Sequence, residues 1–88
     1  MEMKIATRQC QDQEGNARRF HYFLTIDQEE TPRFFCETYG VRIAEEDGAE
    51  QIFTGITTSA ARIDELITLL VDNTVGPAGL EDVLADWL

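Results

Sequence analysis

The sequence predicts an α+β domain in which a four-stranded antiparallel β-meander is followed by two C-terminal α-helices packed on one sheet face. Segments rich in β-branched and aromatic residues flank glycine-containing turns at Gly15-Asn16 and Asp47-Gly48. From Thr58 onward, apolar residues instead recur with the period of a helix. The length of 88 residues, 43% of them hydrophobic, is typical of a single domain that covers residues 1–88.

The first hairpin is predicted to pair residues 3–11 with residues 18–27 around a two-residue turn at Gly15-Asn16. In this register the numbers of cross-strand partners sum to 31. One sheet face then receives two pairs of opposite charge, an arginine beside an aromatic ring and a cysteine beside a histidine, which supports the register. These pairs are Lys4 with Asp27, Asp12 with Arg19, Arg8 with Phe23 and Cys10 with His21.

The second hairpin is predicted to turn at Asp47-Gly48, a dipeptide typical of the type I′ turn. Its cross-strand partners then sum to 95, so that Ile43 lies opposite Ile52. In the same register Arg42 lies beside Phe53 on the opposite face of the sheet.

The connection between the two hairpins is the least regular part of the predicted sheet. Residues 28–32 are predicted to form a loop, because Pro32 cannot donate a hydrogen bond to a β-ladder. Phe34 and Phe35 are adjacent and cannot both face a core from a regular strand, which predicts a bulge or irregular backbone near residues 34–38.

Two amphipathic helices are predicted after the sheet. Thr58 or Ser59 can cap the first helix, which ends between Asn73 and Gly76, and Pro77 can open the second. The core-facing residues of the two helices are predicted to be Ile63, Leu66, Ile67, Leu70 and Val71, and then Leu80, Val83, Leu84, Trp87 and Leu88.

The predicted helices cover one face of the sheet and leave the other uncovered. The covered face is expected to carry Ile5, Leu24, Ile26, Val41, Ile43, Ile52 and Ile56. The uncovered face is expected to carry Phe23, Phe53, Arg8, Arg42, Cys10 and His21, and these six residues form the candidate interaction face. Two exposed phenylalanines flanked by arginines predict a contact with another protein, or with a second copy of the chain as a homodimer.

The charge of the chain is strongly acidic and unevenly distributed. The net charge is −10, of which residues 1–44, with seven acids and six bases, contribute −1 and residues 45–88, with ten acids and one base, contribute −9. Direct binding of nucleic acid requires a concentrated positive surface, so the composition argues against it. An alternative hypothesis is that the acidic half binds a basic protein partner, for example a nucleic-acid-binding protein.

Catalytic, cofactor and metal motifs are absent from the sequence. Cys10 and His21 could form a thiol dyad in the predicted register, which makes a thiol enzyme a third and weaker hypothesis. The acids of residues 45–50 lack the spacing of a calcium-binding loop and are expected to form a solvated hairpin tip. Cys10 and Cys36 are expected to be free thiols. A non-enzymatic protein-interaction or regulatory module is therefore the favoured prediction.

Segments that direct a chain to a membrane or out of the cell are not recognisable. No apolar stretch follows the first residues, Met1-Glu2-Met3-Lys4, and the longest apolar run is Leu69-Leu70-Val71. A cytoplasmic protein without a membrane span is the resulting expectation.

Three stretches carry a resemblance to a known family. They are Thr38-Tyr39-Gly40-Val41, Ile56-Thr57-Thr58-Ser59 and the ending Leu80-Glu81-Asp82-Val83-Leu84-Ala85-Asp86-Trp87-Leu88. In these stretches the chain resembles a family of short proteins of unknown function from low-GC Gram-positive anaerobic bacteria, over about residues 20–88. Relatives tend to have a Pro-x-His-Leu pattern before the last helix, where this chain has Pro77-Ala78-Gly79-Leu80. The resemblance implies an intracellular bacterial protein and no particular activity.

Overall fold

A computed structural model describes residues 1–88 and confirms the predicted fold class. Four antiparallel strands form one sheet in the order β1-β2-β3-β4, and two helices follow the sheet in the chain. The elements are β1 (Glu2–Gln11), β2 (Ala17–Glu30), β3 (Phe35–Glu45), β4 (Glu50–Thr57), α1 (Ala60–Asp72), a 3₁₀ turn (Pro77–Gly79) and α2 (Leu80–Trp87). We call the side of the sheet that packs against the helices the helix face, and the other side the open face.

The first hairpin has a three-residue loop, so the predicted two-residue turn at Gly15-Asn16 is wrong. The N–H of Gly15 donates to the carbonyl of Asp12, and the N–H of Asp12 donates to the carbonyl of Asn16, both at 3.0 Å. Gly15 has a φ of 84°, as a type I turn followed by a left-handed residue requires. The Asp12 carboxylate accepts from the N–H groups of Asn16 and Glu14, and these bonds lower the pKa of that carboxyl.

The second hairpin repeats the same loop. Gly48, with a φ of 106°, donates to the carbonyl of Glu45 at 3.0 Å, and the N–H of Glu45 donates to the carbonyl of Ala49 at 2.7 Å. The three-residue loops change the register of both hairpins. Beside the first loop, the residue numbers of cross-strand partners sum to 28 rather than 31, as in Cys10 with Arg18. Those beside the second loop sum to 94 rather than 95, as in Val41 with Phe53.

Beside both loops the register errors are odd numbers of residues, and this reverses the faces of β1 from Ala6 to Gln11 and of β4 from Glu50 to Phe53. Side chains alternate between the two faces of a strand, so an odd shift moves a side chain to the opposite face. Ile52, predicted to lie in the core, is therefore 47% exposed; Ile5, also predicted there, lies at the irregularity between Lys4 and Ala6 and is 44% exposed. Phe53, predicted to lie on the open face, packs against the core beneath the helices.

The hydrophobic core lies between the helix face and the two helices. The central strands face as predicted, since Val41 and Ile43 are fully buried and Leu24 packs against the core. The ten buried core residues are Phe20, Tyr22, Val41, Ile43, Ile63, Leu66, Ile67, Leu70, Leu80 and Leu84.

The helices begin where the sequence indicates. The Ser59 hydroxyl accepts from the N–H of Arg62 at 3.2 Å and caps α1, and Pro77 opens the turn that leads into α2. At the end of α2, Trp87 is partly buried, but Leu88 is 77% exposed and does not join the core as predicted. Neither helix is both long enough and apolar enough to cross a membrane.

The C-terminal end of α1 places a threonine where glycine is usual. The N–H of Thr74 donates to the carbonyl of Val71 at 3.1 Å, and the N–H of Val75 donates to that of Leu70 at 3.0 Å. These two bonds form a Schellman motif, whose central residue adopts the left-handed conformation. Thr74 has a φ of 50°, whereas the nearby Gly76 has an ordinary φ of −87°.

Replacing Thr74 by glycine should stabilise the domain. A β-branched residue in the left-handed region costs about 1–2 kcal/mol, and part of this cost returns when the Cβ is removed. The gain should exceed the loss of a weak hydrogen bond, 3.5 Å long, from Arg8 to the Thr74 hydroxyl. We expect T74G to raise the free energy of unfolding by about 0.5–1 kcal/mol in urea titrations. T74A is the control, because it removes the hydroxyl but keeps a Cβ; equal stabilities of T74A and T74G would contradict the strain argument.

Strands β2 and β3 continue beyond their neighbours as a two-stranded ribbon. They pair from Phe20 opposite Glu45 as far as Glu30 opposite Phe35, so the predicted loop at residues 28–32 is wrong in its first three residues. Beyond residue 26 neither β1 nor β4 accompanies them, and we call residues 27–38 the arm. The arm contributes to an elongated molecule of 54 × 24 × 16 Å.

Candidate functional site

The six residues of the predicted interaction face do not lie on one face. Phe23, Arg42 and His21 lie on the open face; Phe23 is paired with Arg42 across β2 and β3, and His21 is two residues from Phe23 along β2. Phe53 lies on the helix face opposite the buried Val41.

The remaining two residues of that predicted face, Arg8 and Cys10, also lie on the helix face. Arg8 is opposite the buried Phe20 rather than Phe23. Its guanidinium contacts the hydroxyl of Thr74, which follows the C-terminal end of α1. Cys10 packs against the core. The predicted face is therefore wrong as a group, because the three-residue loops reversed the outer strands.

Phe23 on the open face is covered by the chain's own charged side chains. The Arg42 guanidinium lies 4.0 Å from the centre of its ring, in a cation–π contact. The predicted registers had instead paired Phe23 with Arg8 and Arg42 with Phe53. The carboxylate of Glu2 accepts from Arg42 at 2.7 and 3.0 Å, and that of Glu50 accepts at 3.1 Å. The bond from Arg42 lowers the pKa of the Glu2 carboxyl, and the same pairing raises the pKa of Arg42. The apolar patch that motivated dimerisation through this face is absent.

Cys10 and His21 are not brought together. Cys10 is paired across the hairpin with Arg18, and His21 is paired with Thr7 on the opposite face of the sheet. The His21 ring contacts the Thr7 hydroxyl through Nδ1 at 3.1 Å and the Glu46 carboxylate through Nε2 at 3.5 Å. The geometry proposed for a thiol dyad is therefore wrong. Both Cys10 and Cys36 are free thiols.

Two acids of the second hairpin form ion pairs with arginines of the first hairpin. Glu45 is buried on the helix face and accepts two hydrogen bonds from Arg18, at 2.5 and 2.9 Å. This pairing raises the pKa of Arg18. Glu46 accepts from Arg19 at 3.1 Å. The expectation of a solvated tip is wrong for Glu45, because the pairing of β2 with β3 brings Arg18 beside it, whereas residues 46–50 are exposed as expected.

The end of the arm presents two phenylalanines that are more than half exposed. Phe34 is 58% exposed and Phe35 is 57% exposed. Phe34 lies in the turn that closes the ribbon, and Phe35 is the first residue of β3. The turn beneath them is ordered, because the Thr31 hydroxyl accepts from the N–H groups of Phe34 and Arg33 at 3.1 and 3.3 Å. Sequence reasoning noticed the pair but expected irregular backbone there.

A groove between the two helices is the second surface that sequence reasoning missed. Its apolar lining comes from Leu69 on α1, Val75 in the connection, and Val83 and Trp87 on α2, and its volume is about 470 Å³. Leu69 is 42% exposed, whereas its neighbour Leu70 is fully buried. We call this surface the helix groove.

Potential ligands for metal ions do not cluster anywhere in the chain. No group of three or more His, Cys, Asp or Glu side chains is arranged to hold an ion. The arm and the helix groove are therefore the surfaces on which a function can be argued.

Comparison with known proteins places the chain in a family. A family model described as "Family of unknown function (DUF6514)" matches residues 1–88, so the chain belongs to that family. No curated protein and no solved structure matches the chain.

Proposed function

We propose that this member of the DUF6514 family is a non-enzymatic, intracellular protein-interaction module whose binding element is the arm. The observation that carries the proposal is the pair of exposed phenylalanines, Phe34 and Phe35, at the end of a projecting ribbon. Aromatic side chains supply large contact areas at a small entropic cost, and they are enriched among the residues that dominate binding energy.

The shape of the arm supports this role. Residues 27–31 extend about 15 Å, at about 3.3 Å for each residue. At this reach the two rings can enter a pocket of another protein before the body of the domain touches it. The hydrogen bonds of Thr31 hold the turn before binding, so little conformational freedom is lost when a partner binds.

The charges of the arm favour a directed contact over non-specific aggregation. Its acids, Asp27, Glu29, Glu30 and Glu37, outnumber its single base, Arg33. Charged side chains and a proline at the turn are common devices that prevent exposed strand edges from pairing indiscriminately. The apolar contact is thereby restricted to the two rings at the tip.

Site-specific photocrosslinking in cells of the source organism tests the proposal. A photoreactive residue at position 34 should give one discrete adduct, and the same residue at position 52 on the open face should give none, although Ile52 is also exposed (47%). An adduct of twice the chain's mass would identify a second copy as the partner. Equal labelling at positions 34 and 52, or none at 34, would reject the arm as the binding element.

The double variant F34A/F35A measures how much the two rings contribute to the affinity for the partner. With the crosslinked partner purified, we expect its affinity to fall by about 100-fold or more, as for a pair of central aromatic anchors. The control I52A removes a similarly exposed apolar side chain from the open face and should leave affinity unchanged. Both variants should keep the wild-type melting temperature, because the side chains they remove are largely exposed.

A further inference from the structure

The helix groove has an apolar floor with Asp86 at its edge, and the two helices that flank it are strongly acidic. Six exposed carboxylates project from the two helices, and none of them forms an ion pair within the chain. They are Asp64, Glu65 and Asp72 on α1, and Glu81, Asp82 and Asp86 on α2. A shallow depression along α1 adjoins the groove and is lined by Asp64, Glu65 and Asp72 together with Leu69 and Asn73, of which the last two also line the groove.

Two of these carboxylates lie where helix geometry makes negative charge unfavourable. Asp72 and Asp86 occupy the last turns of α1 and α2, and neither last turn contains a base. The C-terminal end of a helix carries a partial negative charge, so an acid there adds to the negative potential. Asp82 and Asp86 are four residues apart on α2 and repel each other as well.

No base of the chain forms an ion pair with these carboxylates. Arg62 is the single base of the helical layer, and its guanidinium lies 4.4 Å from the centre of the Trp87 ring, in a cation–π contact. In the sheet, Arg18, Arg19 and Arg42 are already paired with glutamates. A second copy, with its net charge of −10, would add repulsion instead of complementarity.

We propose that the helix groove binds a basic amphipathic helix of a partner protein. The apolar stripe of such a helix would lie on Leu69 and Trp87, and lysines or arginines on either side of the stripe would pair with Asp72 and Asp86. The 13 residues of α1 span about 20 Å, so a partner helix of similar length can lie alongside it. Apolar anchors at helical spacing, with charges flanking them, are the usual means by which a groove recognises a helix.

Titration with a designed peptide tests this inference without knowledge of the natural partner. The probe is a leucine–lysine peptide of about 18 residues, long enough to form a helix, with its leucines along one stripe. Its control has the same composition with the lysines distributed all around the helix. Trp87 is the only tryptophan of the chain, so its fluorescence reports occupancy of the groove. We expect saturable binding of the striped peptide, a blue shift of the emission, and affinity about tenfold lower for the control peptide.

Three variants test whether binding depends on the groove itself or only on the net negative charge of the chain. L69K places a cation on the groove floor and should lower affinity by about tenfold or more, whereas I52K adds the same charge on the open face and should change it much less. D72N/D86N should weaken binding while raising the melting temperature, because it removes charges that oppose the two helix dipoles. If these acids had only a structural role, the double variant would not lower peptide affinity while raising the melting temperature.

Several outcomes would overturn the inference. They are the absence of saturable binding by the wild type, equal affinity for the two peptides, and equal losses in L69K and I52K. The inference is independent of the arm, since F34A/F35A should bind the striped peptide like the wild type. Failure of one proposal is thus distinguishable from failure of the other.

Discussion

Replacing Gly40 by alanine is expected to unfold the domain or bring it close to unfolding. A Cβ built on Gly40 would overlap the carbonyl oxygen of Phe53, and it would lie 2.6 Å from the Thr25 hydroxyl and 2.7 Å from the Cα of Thr54. Two of these three neighbours are backbone atoms of β4, which can yield only if the strand moves. Gly40 faces the irregularity at which the pairing of β3 with β4 changes register, so β4 would have to separate from β3 there.

The free energy of unfolding measured in urea provides the test for G40A. Overpacking a fitted site commonly costs 1–3 kcal/mol and occasionally more; because backbone atoms are involved, we expect about 3 kcal/mol or more. Domains of this size have about 4–13 kcal/mol of stability in total, so the loss would be severe.

The matched control for G40A is G55A. Gly55 has a φ of 63°, but no atom lies within 4 Å of the position that a Cβ would take, so alanine there should cost only about 1 kcal/mol of backbone strain. If G55A proved the more damaging of the two variants, close approach of β4 to Gly40 would be the wrong explanation.

Tyr22 should make the domain sensitive to alkaline pH. Its side chain is fully buried, and its hydroxyl donates to the carbonyl of Val75 at 2.8 Å, which links β2 to the connection between the helices. Burial raises the pKa of Tyr22 from 10.0 to about 12. The folded state therefore holds the phenolic proton more tightly than the unfolded state does. The stabilisation is complete below about pH 10 and is lost as the pH rises towards 12.

A shift from 10.0 to about 12 corresponds to a loss of up to about 3 kcal/mol, since one unit of pKa is worth about 1.4 kcal/mol. Urea titrations at several pH values between 8 and 12 would measure it. Y22F should be about 1 kcal/mol less stable than the wild type at neutral pH, because the Val75 carbonyl loses its donor. The deficit should shrink above about pH 10, since phenylalanine does not ionise.

The control for Y22F is Y39F. The hydroxyl of Tyr39, a partly buried residue at the edge of the core, donates to the Glu37 carboxylate at 3.2 Å, and this bond raises the pKa of Tyr39. Y39F should retain most of the alkaline loss of the wild type. If the free energy of unfolding fell equally with pH in the wild type and Y22F, Tyr22 would not be the group responsible for the alkaline loss of stability.

The two helices could be predicted almost completely from local patterns. Ser59 caps α1 through the bond that its hydroxyl makes with a backbone N–H three residues on, and Pro77 opens the turn before α2. Such signals depend on residues close together in the chain, so they do not require knowledge of the rest of the fold. The exception is the end of α1, where the left-handed position belongs to Thr74 and not to a glycine.

The candidate site was predicted less well because it depends on register. Gly15 and Gly48 were correctly recognised as turn residues, yet a glycine fits both the middle of a two-residue turn and the last position of a three-residue loop. The choice between them moves Phe53 and Cys10 from one face to the other. Local sequence leaves this choice nearly balanced, and the favourable charge pairs of the predicted register made the wrong alternative look self-consistent.

The sequence by itself determined the order of the elements, the glycines at which the two hairpins turn, and the faces of the central strands and helices, because these follow from side-chain period and turn chemistry. Only the tertiary structure decided which face the outer strands present. It also decided that β2 and β3 continue into the arm, and that Leu69 and Trp87 line a common groove. These features arise from pairing and packing between segments distant in the chain, whose energies depend on how all the segments fit together.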